Sequence, residues 1–238
     1  MIVEGDWRRD GFVVIRQALR PDTLATLRVE AERCVARHMR WHGAGRPGHE
    51  DNPADSSDVH ILRNLNRPCD GHDDGVGPAS IGPARGSEGF HAVMETIADP
   101  ELLATLREMF CAEPLFRGTA LWINPLETSE EGRWHRDSQF MGLDETAERV
   151  ALEDMAASGL AGSQGCQLQI ALLPNSDVEL VSGSHVRWDT PDERALRYGD
   201  ADSTQNLPGS TRVDLAAGDA VAFSAWGVHR GRYHRSVH

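Results

Sequence analysis

The chain changes character once, near Cys111, and that change limits the folds open to it. Upstream, apolar residues recur at helical spacing: in "LRPDTLATLRVEAERCVARHMRW", Leu24, Leu27, Ala31, Cys34, Val35 and His38 share one face behind a Pro21-Asp22 start. "ADPELLATLREMF" announces a second helix, with Asp99 to cap it and Pro100 at its first position. Downstream, the runs are short. "LFRGTALWIN", "CQLQIALL", "TRVDL" and "DAVAFSAWGVH" read as strands separated by turns such as "AAGD" and "VSGSH", with a helical or loop insertion at 143–165. Helices first and short antiparallel strands later predict an α+β domain whose core is a sandwich or barrel.

Residues 43–90 are rich in Gly, Pro and Asp and carry no periodicity apart from a short candidate strand in "VHILRNLNRP". Stretches of that length and composition are lids, binding loops or disordered segments. The expected organisation is therefore one domain over 1–238. Residues 6–42 and 91–110 give helical support, 43–90 a long loop or lid, and 111–238 the β core.

Composition excludes several classes. The net charge of −13 disfavours nucleic acid and anionic membranes as partners. No apolar run is long enough to span a bilayer, and "MIVEGDWRRDGF" lacks an apolar signal region, so a cytoplasmic protein is expected. Cys34, Cys69, Cys111 and Cys166 lie in separate segments, which fits reduced, mostly buried thiols rather than a zinc ribbon. No H-E-x-x-H, G-x-S-x-G or P-loop occurs.

The chemistry-bearing candidate is "GRWHRDSQF", residues 132–140. His-x-Asp occurs three times: His49/Asp51, His72/Asp74 and His135/Asp137. The first two lie in the Gly/Pro-rich loop, where ligand geometry has little support. His135 and Asp137 follow a strongly apolar strand, and in extended backbone residues i and i+2 face the same way. A third ligand would complete a 2-His-1-carboxylate triad, which leaves coordination positions open and suits non-haem Fe(II) and oxygen. His229, at the end of "AVAFSAWGVH", is the best candidate, and His185 in the turn "SGSH" is the runner-up. His38 and His42, one helical turn apart, fit a polar helix face better than a chelate. Arg136 and Ser138 should point away from the two ligands. Gln167 and Gln169 share a strand face that either lines the pocket or meets solvent.

"RWHRDSQF", "LVSGSHVRWDTP" and "GDAVAFSAWGVHRGRY", preceded by "DWRRDGFVVIRQALRPDTLATLR", together resemble the phytanoyl-CoA dioxygenase-like group of Fe(II)/2-oxoglutarate oxygenases. The resemblance runs from about Asp6 to Tyr233. It implies a double-stranded β-helix (jelly-roll) core with flanking N-terminal helices. It implies that His135, Asp137 and His229 bind Fe(II), that 2-oxoglutarate chelates the metal and is decarboxylated to succinate, and that molecular oxygen takes the remaining position. The product would be a hydroxylated small molecule. Asp137 matters here, because halogenating relatives carry a small residue in its place. Asn124 matches an Asn that contacts 2-oxoglutarate in relatives.

The resemblance fails at one point. Relatives carry an Arg further beyond the distal His, on the last core strand, which grips the far carboxylate of 2-oxoglutarate. This chain has 238 − 229 = 9 residues after His229, and Arg232 and Arg235 are off that position. The expectation is a final strand that is missing or shortened, with impaired co-substrate binding. The alternative function is a metal-binding β-barrel protein without co-substrate turnover. A zinc-dependent hydrolase or isomerase on a similar barrel is a third reading.

Overall fold

A computed structural model describes residues 1–43, 60–63, 82–124, 129–159 and 165–234. The chain divides into two compact units. One comprises Met1–Ala18, Ala104–Pro114 and Glu130–Tyr233, the other Leu19–Leu103, Leu115–Ser129 and His234–His238.

In chain order the strands are β1 (Ile2–Glu4), β2 (Phe12–Arg16), β3 (His60–Arg63), β4 (Ala120–Ile123), β5 (Glu130–Glu131), β6 (Cys166–Ile170), β7 (Val178–Val181), β8 (Ser210–Arg212), β9 (Ala220–Ser224) and β10 (His229–Tyr233). The helices are α1 (Trp7–Asp10), α2 (Pro21–Gly43), α3 (Glu88–Ile97), α4 (Pro100–Phe110), α5 (Glu145–Ala157) and α6 (Pro191–Tyr198).

The first unit holds two four-stranded antiparallel sheets, in the orders β1-β2-β9-β6 and β5-β10-β7-β8. These are the two faces of a jelly roll. Val14, Val178, Leu180, Val213, Leu215, Val221 and Phe223 pack between them, drawn from both sheets and from the segment after β8. β9, "AVAFS", is buried along its whole length, as a continuous apolar run between two paired neighbours should be. The turn before it is pinned by Asp219, whose carboxylate accepts from the backbone N–H of Gln17 and Ala216 and pairs with Arg16 at 2.8 Å. α1 is a single turn started by Asp6, which accepts from Arg8 and Arg9 N–H, and ended by Gly11 at φ 78. Only Gly suits Gly11, because a Cβ there would overlap the buried His185 ring.

In the second unit α2 lies against α3, burying Thr23, Glu30, Cys34 and His38. Asp99 caps α4 as expected, accepting from Glu101 and Leu102 N–H at 3.0 and 2.9 Å. Of "LFRGTALWIN", only Ala120–Ile123 is strand, and it pairs with β3 rather than with either four-stranded sheet. The Gly/Pro-rich stretch read as a lid lies mostly outside the described residues. So do Cys69, the first two His-x-Asp pairs and Arg235, while β10 ends at Tyr233.

Candidate metal centre

Two segments of the jelly roll meet where the site forms. Residues 132–135 run antiparallel to β10. Gly132 N–H donates to the Gly231 carbonyl at 2.8 Å, and His135 and His229 exchange both backbone hydrogen bonds at 2.9 Å. The approach requires Gly132, since a Cβ there would overlap the Gly231 carbonyl oxygen. Direct pairing brings the two imidazoles together, with ring centroids 4.3 Å apart and planes tilted by 55°. Arg136 is extended (φ −113, ψ 144), so Asp137 returns to the side that His135 occupies. Asp137 N–H then donates to the Ala225 carbonyl at 2.9 Å and opens a 3₁₀ turn over Asp137–Met141.

The donor atoms converge. His135 Nε2 lies 3.7 Å and His229 Nε2 3.6 Å from Asp137 Oδ1, and one ligand atom from each residue lies within 4.8 Å of the others. Each imidazole is oriented through its other nitrogen. His135 Nδ1 bonds the Arg133 carbonyl at 2.8 Å, and His229 Nδ1 bonds the Gly227 carbonyl at 2.9 Å. A carbonyl can only accept, so Nδ1 carries the proton and Nε2 offers a lone pair to the cluster. Burial pushes both rings toward the neutral form. His229 falls to about 3, through desolvation first and the nearby His135 second. His135 is lowered by desolvation as well. Gln167, on β6, donates its amide to Asp137 Oδ2, which fixes the carboxylate from the other side. Two neutral imidazoles and one carboxylate on one side of a point make a donor set that fits a divalent metal and leaves positions open.

Arg136 points the opposite way, as its place between the two ligands demands, and is fully buried. Its guanidinium donates to the carbonyls of Ser184 (2.6 Å), Trp226 and Arg187 (3.2 Å) and pairs with Asp189 at 2.7 Å. Asp189 also pairs with Arg197 at 2.5 Å, and Arg197 with Glu148 at 2.9 Å; all four side chains are shielded from solvent. Glu148 accepts from Ser138 and from Tyr198. Two cations and two anions are thus buried together with every charge paired, the arrangement that offsets their desolvation. Through Trp226 the network also holds the segment that leads into His229.

Several residues fall elsewhere. His185, the runner-up ligand, is fully buried against Gly11, outside the cluster. His38 is buried in α2 of the second unit. Arg230 and Arg232 alternate away from His229 along β10. Arg230 pairs with Glu179 at 2.8 Å and covers Trp134, and Arg232 pairs with Glu131 at 2.6 Å. Asn124 follows β4 in the second unit and is half-buried. Ser138 points away from the ligands as well and has no exposure. Of the thiols, Cys34 is buried and Cys111 exposed, the latter against the expectation of burial. Glu148 and Arg197 carry no signal in the sequence, where "TAERVAL" and "DERALRY" look like ordinary charged helix surface, and nothing in "RWDTP" marks Asp189 as their partner.

The family profile described as phytanoyl-CoA dioxygenase (PhyH) matches residues 7–238. The chain belongs to the phytanoyl-CoA dioxygenase family. No curated protein matches the sequence. Solved structures with the same fold include AviO1 from Streptomyces viridochromogenes Tue57, at 19% identity and a TM-score of 0.55, covering 98% of this chain and 86% of that one. The non-heme alpha ketoglutarate dependent epimerase SnoN from nogalamycin biosynthesis has 17% identity and a TM-score of 0.58, covering 97% and 74%. HygX from Streptomyces hygroscopicus, solved with nickel and 2-oxoglutarate bound, has 14% identity and a TM-score of 0.55, covering 98% and 80%. At these identities the likeness establishes the jelly-roll fold that this phytanoyl-CoA dioxygenase family member shares with them.

Proposed function

We propose that the chain is a non-haem Fe(II)- and 2-oxoglutarate-dependent dioxygenase that hydroxylates a small molecule. One atom of molecular oxygen enters the product, and the other enters succinate as 2-oxoglutarate loses carbon dioxide. The observation that carries the reading is the convergence of His135, Asp137 and His229 in a member of this family. SnoN in complex with Fe3+ and alpha ketoglutarate, and HygX with nickel and 2-oxoglutarate, support the same metal and co-substrate for this chain.

In this reading His135, Asp137 and His229 would hold Fe(II), which would supply the redox chemistry for the keto acid and oxygen. His135 and His229 contribute neutral Nε2 donors because Arg133 and Gly227 carbonyls hold their Nδ1 protons. Asp137 supplies the negative charge, and Gln167 restrains it from swinging away. A carboxylate at position 137 occupies the place a halide would need, which favours hydroxylation. Asn124 is assigned to the co-substrate, and residues 1–238 to one oxygenase domain acting in the cytoplasm.

The alternative, metal binding without co-substrate turnover, draws on one observation: both arginines of β10 are committed to acidic partners on the face away from His229. Succinate formation separates the two. Fe(II), ascorbate, oxygen and 2-oxoglutarate should give succinate with the wild type and none with His135→Ala or His229→Ala. Succinate formation that survives both substitutions, or none from the wild type, sinks the proposal.

A further inference from the structure

The turn that carries Asp137 has inverted polarity. An ordinary surface turn faces its apolar side chains inward and its polar ones to water. Over Asp137–Met141 the reverse holds: Ser138 is fully buried, while Phe140 is 71% and Met141 49% exposed. Single exposed apolar residues are common, but these two are consecutive and lie beside the metal centre. The Phe140 ring stands 5.4 Å from the His135 ring, tilted by 58°.

The exposure does not come from a loose segment. Asp137 N–H is bonded to Ala225, and Gln139 N–H to Arg136. Ser138 is tied to buried Glu148, and Gln139 accepts from buried Arg197 at 3.3 Å. Gly142, in the left-handed region at φ 77, ends the turn, and a Cβ there would meet nothing within 4 Å among the described residues. The buried ionic network thus holds the polar side of the turn inside and the apolar side out. Local preference overridden in this way, next to a reactive centre, is the signature of a site.

We infer that Phe140 and Met141 form an apolar ledge that takes the substrate's hydrocarbon or ring face beside the metal. The inference rests on the oxygenase reading above and adds the class of substrate: small molecules with an apolar face of about ring size, in preference to polyhydroxylated ones. Phe140 is the specificity-determining residue, and Met141 adapts to the shape of what lies on it.

The test uses Mn(II) as a paramagnetic probe in the full chain, with two ligand probes, 3-phenylpropionamide and methyl glucoside. Proton relaxation of each is measured by NMR as its concentration is raised. The phenyl protons should show saturable enhancement that EDTA abolishes, and the glucoside none. Phe140→Ala should weaken the phenyl probe by about five- to thirtyfold, and Phe140→Leu by no more than about threefold. Because Phe140 is mostly exposed, both variants should fold like the wild type. Equal binding in Phe140→Ala and wild type overturns the inference, as does saturable glucoside enhancement equal to that of the phenyl probe, or no phenyl enhancement at all. The underlying site fails separately: Mn(II) affinity unchanged in His135→Ala and His229→Ala would show that the metal lies elsewhere.

Discussion

Replacing Asp189 by Asn removes a carboxylate that two buried guanidiniums share. Asp189 lies 2.7 Å from Arg136 and 2.5 Å from Arg197, and none of the three side chains reaches solvent. Asn keeps the volume and one acceptor oxygen but no charge. Arg136 and Arg197 would then face each other across the site with Glu148 as the remaining anion of the network. Removing one partner of a buried pair costs about 3–5 kcal/mol, and the retained Asn acceptor puts this case near about 3. With a urea dependence of about 3 kcal/mol per molar for a chain of this size, the unfolding midpoint should fall by about 1 M. Tryptophan fluorescence reports on the right region, since Trp188 lies 5.9 Å and 5.8 Å from the Arg136 and Arg197 guanidinium carbons. Adding Arg136→Met should cost less than the two single effects summed, by about 1–3 kcal/mol, because a charge and its partner leave together. A midpoint lowered by less than about 0.3 M in Asp189→Asn, or strict additivity in the double variant, would refute the claim that these charges are buried as a balanced set.

Three further outcomes are expected. Gly132→Ala should lower the melting temperature by at least about 4 °C in calorimetry and weaken Mn(II) binding, since the new Cβ meets the backbone carbonyl of Gly231 where no side chain can yield; unchanged melting would count against the close approach. Iodoacetamide at about pH 8, read by peptide mass spectrometry, should label exposed Cys111 in the native protein before buried Cys34 and before half-buried Cys166, whose thiol desolvation pushes up to about 12; labelling of Cys166 as fast as Cys111 would contradict that shift. The Asp10 carboxyl is held at about 2, below its ordinary 3.8, chiefly by its hydrogen bonds from Arg9. A depressed folded-state value stabilises above the unfolded value and is lost as pH falls through the folded one. The gap in urea midpoint between wild type and Asp10→Asn should therefore be full at about pH 5 and shrink toward pH 2, and a gap that widens on acidification would reject the assignment.

Much of this was legible in the sequence, for reasons that differ from part to part. β9 announced itself because a strand buried on both faces is an uninterrupted apolar run, and α4 because Asp99 and Pro100 are local start signals. Proximity of His135 and Asp137 followed from extended geometry across one residue. His229 stood out as the third ligand by its place at the end of an apolar strand, but the geometry of their meeting did not follow, since the pairing of residues 132–135 with β10 creates it and strand pairing is set by the whole fold. The partners of Arg136 were hidden for the same reason. Asp189, Arg197 and Glu148 have no special local pattern, and they become a network only when α5 and α6 pack behind the turn. β4 misled because an apolar run states that a strand forms without naming the strand it pairs with.

Anaerobic addition of Fe(II) and then 2-oxoglutarate, followed by visible absorption, reads metal and co-substrate binding together, because a keto acid chelated to Fe(II) gives a weak charge-transfer band. The wild type should show the band, and His135→Ala, Asp137→Ala and His229→Ala, each of which removes one converging donor, should lose it. A band that persists in all three variants, or Fe(II) bound by the wild type with no band on adding 2-oxoglutarate, would contradict it.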